Sequence, residues 1–62
     1  QLNQLARRMA DQVRRTRRPV TLEPMPPNER RIVHLTLAED REVETSSIGE
    51  GENRKVSISL KR

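Results

Sequence analysis

Apolar residues recur at helical spacing over the first segment of the chain and cover little more than a third of a helical wheel. They are Leu2, Leu5, Ala6, Met9, Ala10 and Val13. Arginines occupy the opposite arc. Pro19 ends the pattern, because the residue before a proline is pushed out of the α region. The pattern predicts an amphipathic helix over residues 2–18.

A second helical pattern begins at Pro27, after Pro24 and Pro26, and continues to residue 40. Proline is tolerated in a first helical turn, where its missing N–H would have no intrahelical partner. One broad arc holds most of the apolar residues and is expected to face inward: Ile32, Val33, Leu35 and Leu37. The complementary arc is expected to face water: Arg30, Arg31 and His34.

Strand patterns occur over residues 19–23, 41–47 and 54–60, and a glycine-containing loop over residues 46–53 separates the last two. The sequence therefore predicts one α+β domain over residues 1–62, a small two-layer sandwich with the order α-β-α-β-β. Both helices should lie on one face of a three-stranded sheet, and the last two strands should form an antiparallel hairpin. The expected sheet face is supplied by Val20, Leu22, Val56 and Ile58.

The composition of the 62 residues excludes several classes of site. Cysteine is absent, so neither a disulfide nor a thiolate metal site can form. The one histidine, His34, has no carboxylates at metal-ligand spacing, and the serines have no evident acid to orient it as a catalytic base. No apolar run approaches the roughly 20 residues of a membrane span. We therefore expect that the protein is not an enzyme, binds no metal or cofactor, and does not insert into a membrane.

Positive charge is concentrated at one end of the chain, although the net charge is only +4. Residues 1–18 contain six arginines and a single aspartate, whereas the rest of the chain is close to neutral. A local basic surface points to a polyanion or an anionic membrane as partner. The bias toward arginine over lysine favours bidentate phosphate contacts.

Arg30 and His34 are four residues apart, so a helix places a guanidinium and an imidazole side by side. Such a pair can bind phosphate and stack on bases, although a solvated helix face or a buried polar contact by His34 would give the same spacing. Arg31 adjoins the pair and could instead form an ion pair with a carboxylate. Arg54 and Lys55 begin the last strand and could widen the basic surface.

These segments together resemble the R-three-H domain, a module named for an Arg and a His with three residues between them. The resemblance is to the form found in bacterial Jag (SpoIIIJ-associated, KhpB) proteins. It is carried by the segments Arg18-Pro19-Val20-x-Leu22-x-Pro24-Met25, Glu29-Arg30-Arg31-Ile32-Val33-His34-Leu35, Thr45-x-Ser47-x-Gly49-Glu50-Gly51 and Arg54-Lys55-Val56. One departure is Pro26-Pro27-Asn28, where relatives often carry an aromatic residue.

The resemblance implies a cytoplasmic bacterial module that binds single-stranded nucleic acid, with RNA favoured over DNA. It also implies that the chain is the C-terminal part of a longer protein with a KH domain upstream. The expected nucleic-acid-binding residues are Arg30, Arg31, His34, Arg54 and Lys55. The alternative function is docking of the arginine-rich first helix to an acidic protein or an anionic membrane surface.

Overall fold

The computed structural model describes residues 1–61 and contains, within that range, two α-helices and three strands. In chain order these are α1 (Leu2–Thr16), β1 (Val20–Thr21), α2 (Pro27–Leu37), β2 (Val43–Ile48) and β3 (Lys55–Leu60), with a 3₁₀ turn at Gly51–Asn53 before β3. The predicted α-β-α-β-β order is confirmed. The second helix ends earlier than predicted, and β2 continues further into the expected loop.

The sheet has the order β1-β3-β2, and both strand pairs are antiparallel. Ile58 lies at its centre, opposite Val20 of β1 on one side and Thr45 of β2 on the other. The last two strands form the predicted hairpin, with Val43 opposite Leu60 at one end and Ile48 opposite Lys55 at the other. This register fixes which side chains of β2 face the helices.

One core lies between the two helices and one face of the sheet, as predicted. The buried apolar residues form a single cluster: Ala6, Ala10, Val13, Leu22, Val33, Leu37, Val43, Val56 and Ile58. Met9 and Val20 are partly buried and pack against this cluster. The two alanines of α1 let the helix approach closely, since small side chains keep its backbone near the layer beneath it. Most of the apolar stripe of α1 is therefore used inside the protein, whereas Leu2 and Leu5 at its start are only half-buried.

The predicted orientation of α2 is wrong. Ile32 and Leu35 are 42% and 66% exposed, whereas Val33 and Leu37 are buried. Arg30 and His34, which were expected to face water, are half-buried on the inward side of the helix. The apolar residues of α2 are split between two arcs, and the sheet buries the arc that also carries this basic pair.

Arg14 joins the C-terminal ends of the two helices. It was expected on the solvent-facing arc of α1, but it pairs with Asp11 and donates a 2.8 Å hydrogen bond to Asp40, just beyond α2. The same Asp40 carboxylate accepts backbone N–H groups of Glu42 and Val43 at 2.7 and 3.0 Å. These contacts fix the turn between α2 and β2.

This turn should make the stability of the domain dependent on pH. Burial raises the pKa of Asp40, but the backbone N–H groups of Glu42 and Val43 and the Arg14 guanidinium together lower it below its ordinary value of 3.8. A lowered folded-state pKa contributes stability above the unfolded-state value, and that contribution disappears as the pH falls through the folded-state value. Wild type should be more stable than Asp40→Asn near neutral pH, and the difference should shrink below about pH 4. Urea unfolding of both proteins from pH 7 to pH 2 measures this, and a pH-independent difference would contradict it.

Candidate functional site

Arg30 is held at the start of α2 by its own side chain. Its Nη1 donates a 2.7 Å hydrogen bond to the backbone carbonyl of Met25, in the proline-rich segment that precedes the helix. Pro26 is the N-cap residue and Pro27 is the first helical residue, so the backbone is conformationally restricted where it enters α2. A guanidinium has five N–H donors, and this contact uses one. Arg30 is thus fixed in direction and keeps donors for a ligand.

A groove of about 650 Å³ lies beside Arg30, between the proline-rich segment and the turn before β3. It is lined by Pro24, Met25, Pro26, Pro27, Arg30, Gly51, Glu52 and Arg54. The two walls are connected, because the N–H of Met25 donates to the carbonyl of Arg54 at 3.2 Å. Arg30 and Arg54 are therefore brought together from distant points of the sequence.

The turn that forms the second wall depends on Gly49. Its φ is +85°, and a Cβ added there would lie 2.7 Å from the carbonyl oxygen of Asn53. Any other residue would be strained at this φ and would displace the backbone that leads to Arg54. The glycine is thus required for the close return of the chain to β3.

His34 lies one turn after Arg30 and connects α2 to β2. Its Nδ1 is 2.6 Å from Oγ1 of Thr45, and its Nε2 is 3.0 Å from Oγ of Ser47. A neutral imidazole has one donor and one acceptor nitrogen, and hydroxyl groups can serve as partner to either. The hydrogen bonds of His34 therefore match the interpretation of this residue as a structural polar contact, although it is half-buried rather than buried.

Arg31 and Lys55 do not line the groove. Arg31 is exposed, and the helical rotation of about 100° per residue turns it away from Arg30. Lys55 precedes the buried Val56, so it points to the opposite face of the sheet from the core. Of the five residues expected to bind nucleic acid, the structure brings Arg30 and Arg54 into one groove and leaves His34, Arg31 and Lys55 outside its lining.

Several residues of the groove were not predicted as site residues. Met25, the prolines around it and Glu52 line the groove, and none of them was assigned a binding role from the sequence. Thr45 and Ser47 were not predicted to contact His34. The alternation along β2 does place them on the same face as Val43, which is the one sequence signal that could have identified them.

The arginines of α1 form a second basic surface. Arg7, Arg8 and Arg15 are exposed, whereas Arg14 is held by its carboxylate partners. Among residues 1–61, no group of three or more His, Asp or Glu side chains could hold a metal ion. Within the same range, no helix combines the length and the apolar character needed to cross a membrane.

Comparison with known proteins gives one family. The family model of the R-three-H domain matches residues 1–60. The RNA-binding protein KhpB of Bacillus subtilis (strain 168) is 51% identical over 63 residues, which cover 98% of this chain and 30% of that protein. The RNA-binding protein KhpB of Clostridium symbiosum is 54% identical over 61 residues, covering 98% of this chain and 28% of that protein. The chain thus spans less than a third of the length of these curated relatives.

Proposed function

The chain belongs to the R-three-H domain family, and we propose that it binds single-stranded nucleic acid, RNA in preference to DNA, at the groove between the proline-rich segment and the turn before β3. The observation that carries this proposal is the convergence of Arg30 and Arg54 on one groove. Two guanidiniums can bind phosphate oxygens in bidentate geometry. The preference for RNA rests on the relatives, which are named RNA-binding proteins.

The five basic residues take different parts in this proposal. Arg30 and Arg54 contact phosphate inside the groove. His34 holds α2 against β2 through Thr45 and Ser47, and it contacts a sugar or phosphate oxygen where one of these hydroxyls gives up its ring nitrogen to the ligand. Arg31 and Lys55 lie outside the groove and contact the strand where it enters or leaves. Base stacking is weak, because the chain has no aromatic residue.

Docking of α1 to an acidic partner is the competing function. The membrane form of that alternative needs the apolar stripe of α1, and most of this stripe, Ala6, Met9, Ala10 and Val13, packs into the core. The exposed arginines of α1 remain available to an acidic surface. The exposed arginines of α1 lie on an open helix face and can attract an anion by charge alone. The groove can also enclose part of a ligand between its two walls.

Salt dependence tests the proposed function. Contacts by Arg30, Arg31, Arg54 and Lys55 amount to about four phosphates, so log K for single-stranded RNA should fall against log salt with a slope of about −3, from about −0.7 per contact. Removing one contact with Arg54→Ala should make the slope shallower by about 0.7. Fluorescence anisotropy with a short labelled RNA at several salt concentrations measures both. A nearly flat dependence in wild type would argue against phosphate binding and favour a protein partner.

A further inference from the structure

The groove that holds Arg30 and Arg54 also holds a carboxylate. Glu52 is the one acidic residue among those that line it in the described structure. Beside a bound phosphate, this charge repels the ligand. A site that bound only the backbone of a nucleic acid would gain nothing from it. Glu52 therefore needs an explanation other than phosphate binding.

The rest of the groove fits a nucleobase. Its volume of about 650 Å³ falls within the range of small-ligand sites, which is roughly 300–1,000 Å³. Pro24, Met25 and the two following prolines provide an apolar wall against which the face of a base can pack. The groove thus combines an apolar wall for the base with two guanidiniums for the adjoining phosphates.

The position of Glu52 is set by the backbone of its turn. The N–H of Asn53 donates to the carbonyl of Glu50 at 3.1 Å, and the N–H of Arg54 donates to the carbonyl of Gly51 at 3.2 Å. These two hydrogen bonds form the 3₁₀ turn, Gly51–Asn53, which carries Glu52 and leads directly to Arg54. The carboxylate and the Arg54 guanidinium therefore approach a ligand from the same short segment.

We propose that Glu52 makes this groove a base-reading subsite that favours bases with an exocyclic amino group over uracil. This inference rests on the proposed function. A carboxylate only accepts hydrogen bonds, so it pairs with the amino groups of adenine, cytosine and guanine. Uracil has no amino group, and the carbonyl oxygens on both sides of its single ring N–H repel a carboxylate. Arg30 and Arg54 hold the phosphates of any sequence, and Glu52 selects among the bases.

The test compares three RNA hexamers, all-cytosine, all-adenine and all-uracil, by fluorescence anisotropy at one fixed salt concentration. Wild type should bind the cytosine and adenine hexamers at least about fivefold more tightly than the uracil hexamer, the lower end of what one good side-chain–base contact gives. In Glu52→Gln this preference should fall to about twofold or less. The uracil hexamer should bind the variant more tightly than wild type, because a repulsive charge has been removed.

Glu50→Gln is the matched control. It removes the same charge two residues away, in the same turn, at a residue that does not line the groove. The control should keep the wild-type preference. Circular dichroism spectra of all three proteins should coincide.

Two results would overturn the inference while leaving the proposed function intact. One is wild type binding all three hexamers equally. The other is Glu52→Gln strengthening all three by the same factor, as a purely repulsive charge would. Failure of wild type to bind any hexamer would instead overturn the proposed function, and the inference with it.

Discussion

Replacing Leu37 with Ala should lower the free energy of unfolding by about 2–5 kcal/mol. Leu37 is only 5% exposed and lies in the last turn of α2, inside the apolar core cluster. The substitution removes buried methyl groups and leaves a cavity that this small core can only partly close. The free energy of unfolding of a whole domain is roughly 5–15 kcal/mol, so this loss is a large share of it. Urea unfolding followed by far-UV circular dichroism measures it, since the chain lacks tryptophan and tyrosine for fluorescence.

Leu35→Ala is the matched control, because it makes the same chemical change on the same helix. Leu35 is 66% exposed, so its replacement should change the free energy of unfolding by no more than about 0.5 kcal/mol. Equal losses at the two positions would mean that α2 is rotated toward the orientation suggested by its hydropathy. A larger loss for Leu35→Ala than for Leu37→Ala would contradict the core described above.

The order of elements and the two-layer architecture could be predicted because each element has a clear period. The stripe of α1 and the alternation of Val56, Ile58 and Leu60 each require one buried face, and a helix layer on a sheet satisfies them together. The ends of α2 and β2 differ from the predicted ones. Ile48 continues β2 because it pairs with Lys55, a contact between residues that no local pattern specifies.

The prediction of how α2 is oriented failed for a reason that its helical wheel shows. At about 100° per residue, Val33, Leu37, Arg30 and His34 fall within about 100° of one another, while Ile32 and Leu35 lie on the far side. Counting apolar residues favours neither arc, because each holds two. In the structure, the arc with Arg30 and His34 faces inward, because both side chains have polar partners there. Arg30 donates to the carbonyl of Met25, and His34 is hydrogen-bonded to two hydroxyls of β2.

The groove itself could not be predicted from local sequence. Its two walls are separated along the chain by the whole of α2 and β2, and they meet because residues 22–25 run beside the start of β3. Leu22 donates to the carbonyl of Val56 at 2.9 Å, and Met25 donates to that of Arg54. These long-range pairings follow from the sheet register. Sequence could identify Arg30 and Arg54 as basic residues but did not indicate that they line the same groove.

Replacing Arg30 with Ala should weaken binding of single-stranded RNA by about 1–3 kcal/mol, or about 5- to 150-fold, the scale of hydrogen bonds to a charged group. Arg30 can bridge two phosphate oxygens while its Nη1 stays bound to Met25. Arg30→Lys keeps the charge but loses the planar fork, so it should recover only part of the affinity. Titration with a short RNA, followed by two-dimensional NMR, measures affinity and reports whether the fold is intact.

Arg41→Ala is the control for charge alone. Arg41 is exposed, lies beyond the end of α2 and does not line the groove, so its loss should weaken binding far less than the loss of Arg30. Comparable losses would mean that binding depends on net charge rather than on the groove. An Arg30→Ala domain that stays folded and binds RNA at full strength would remove the groove from the binding surface. The exposed arginines of α1 would then be the better candidate, and combined replacement of Arg7, Arg8 and Arg15 should abolish binding in that case.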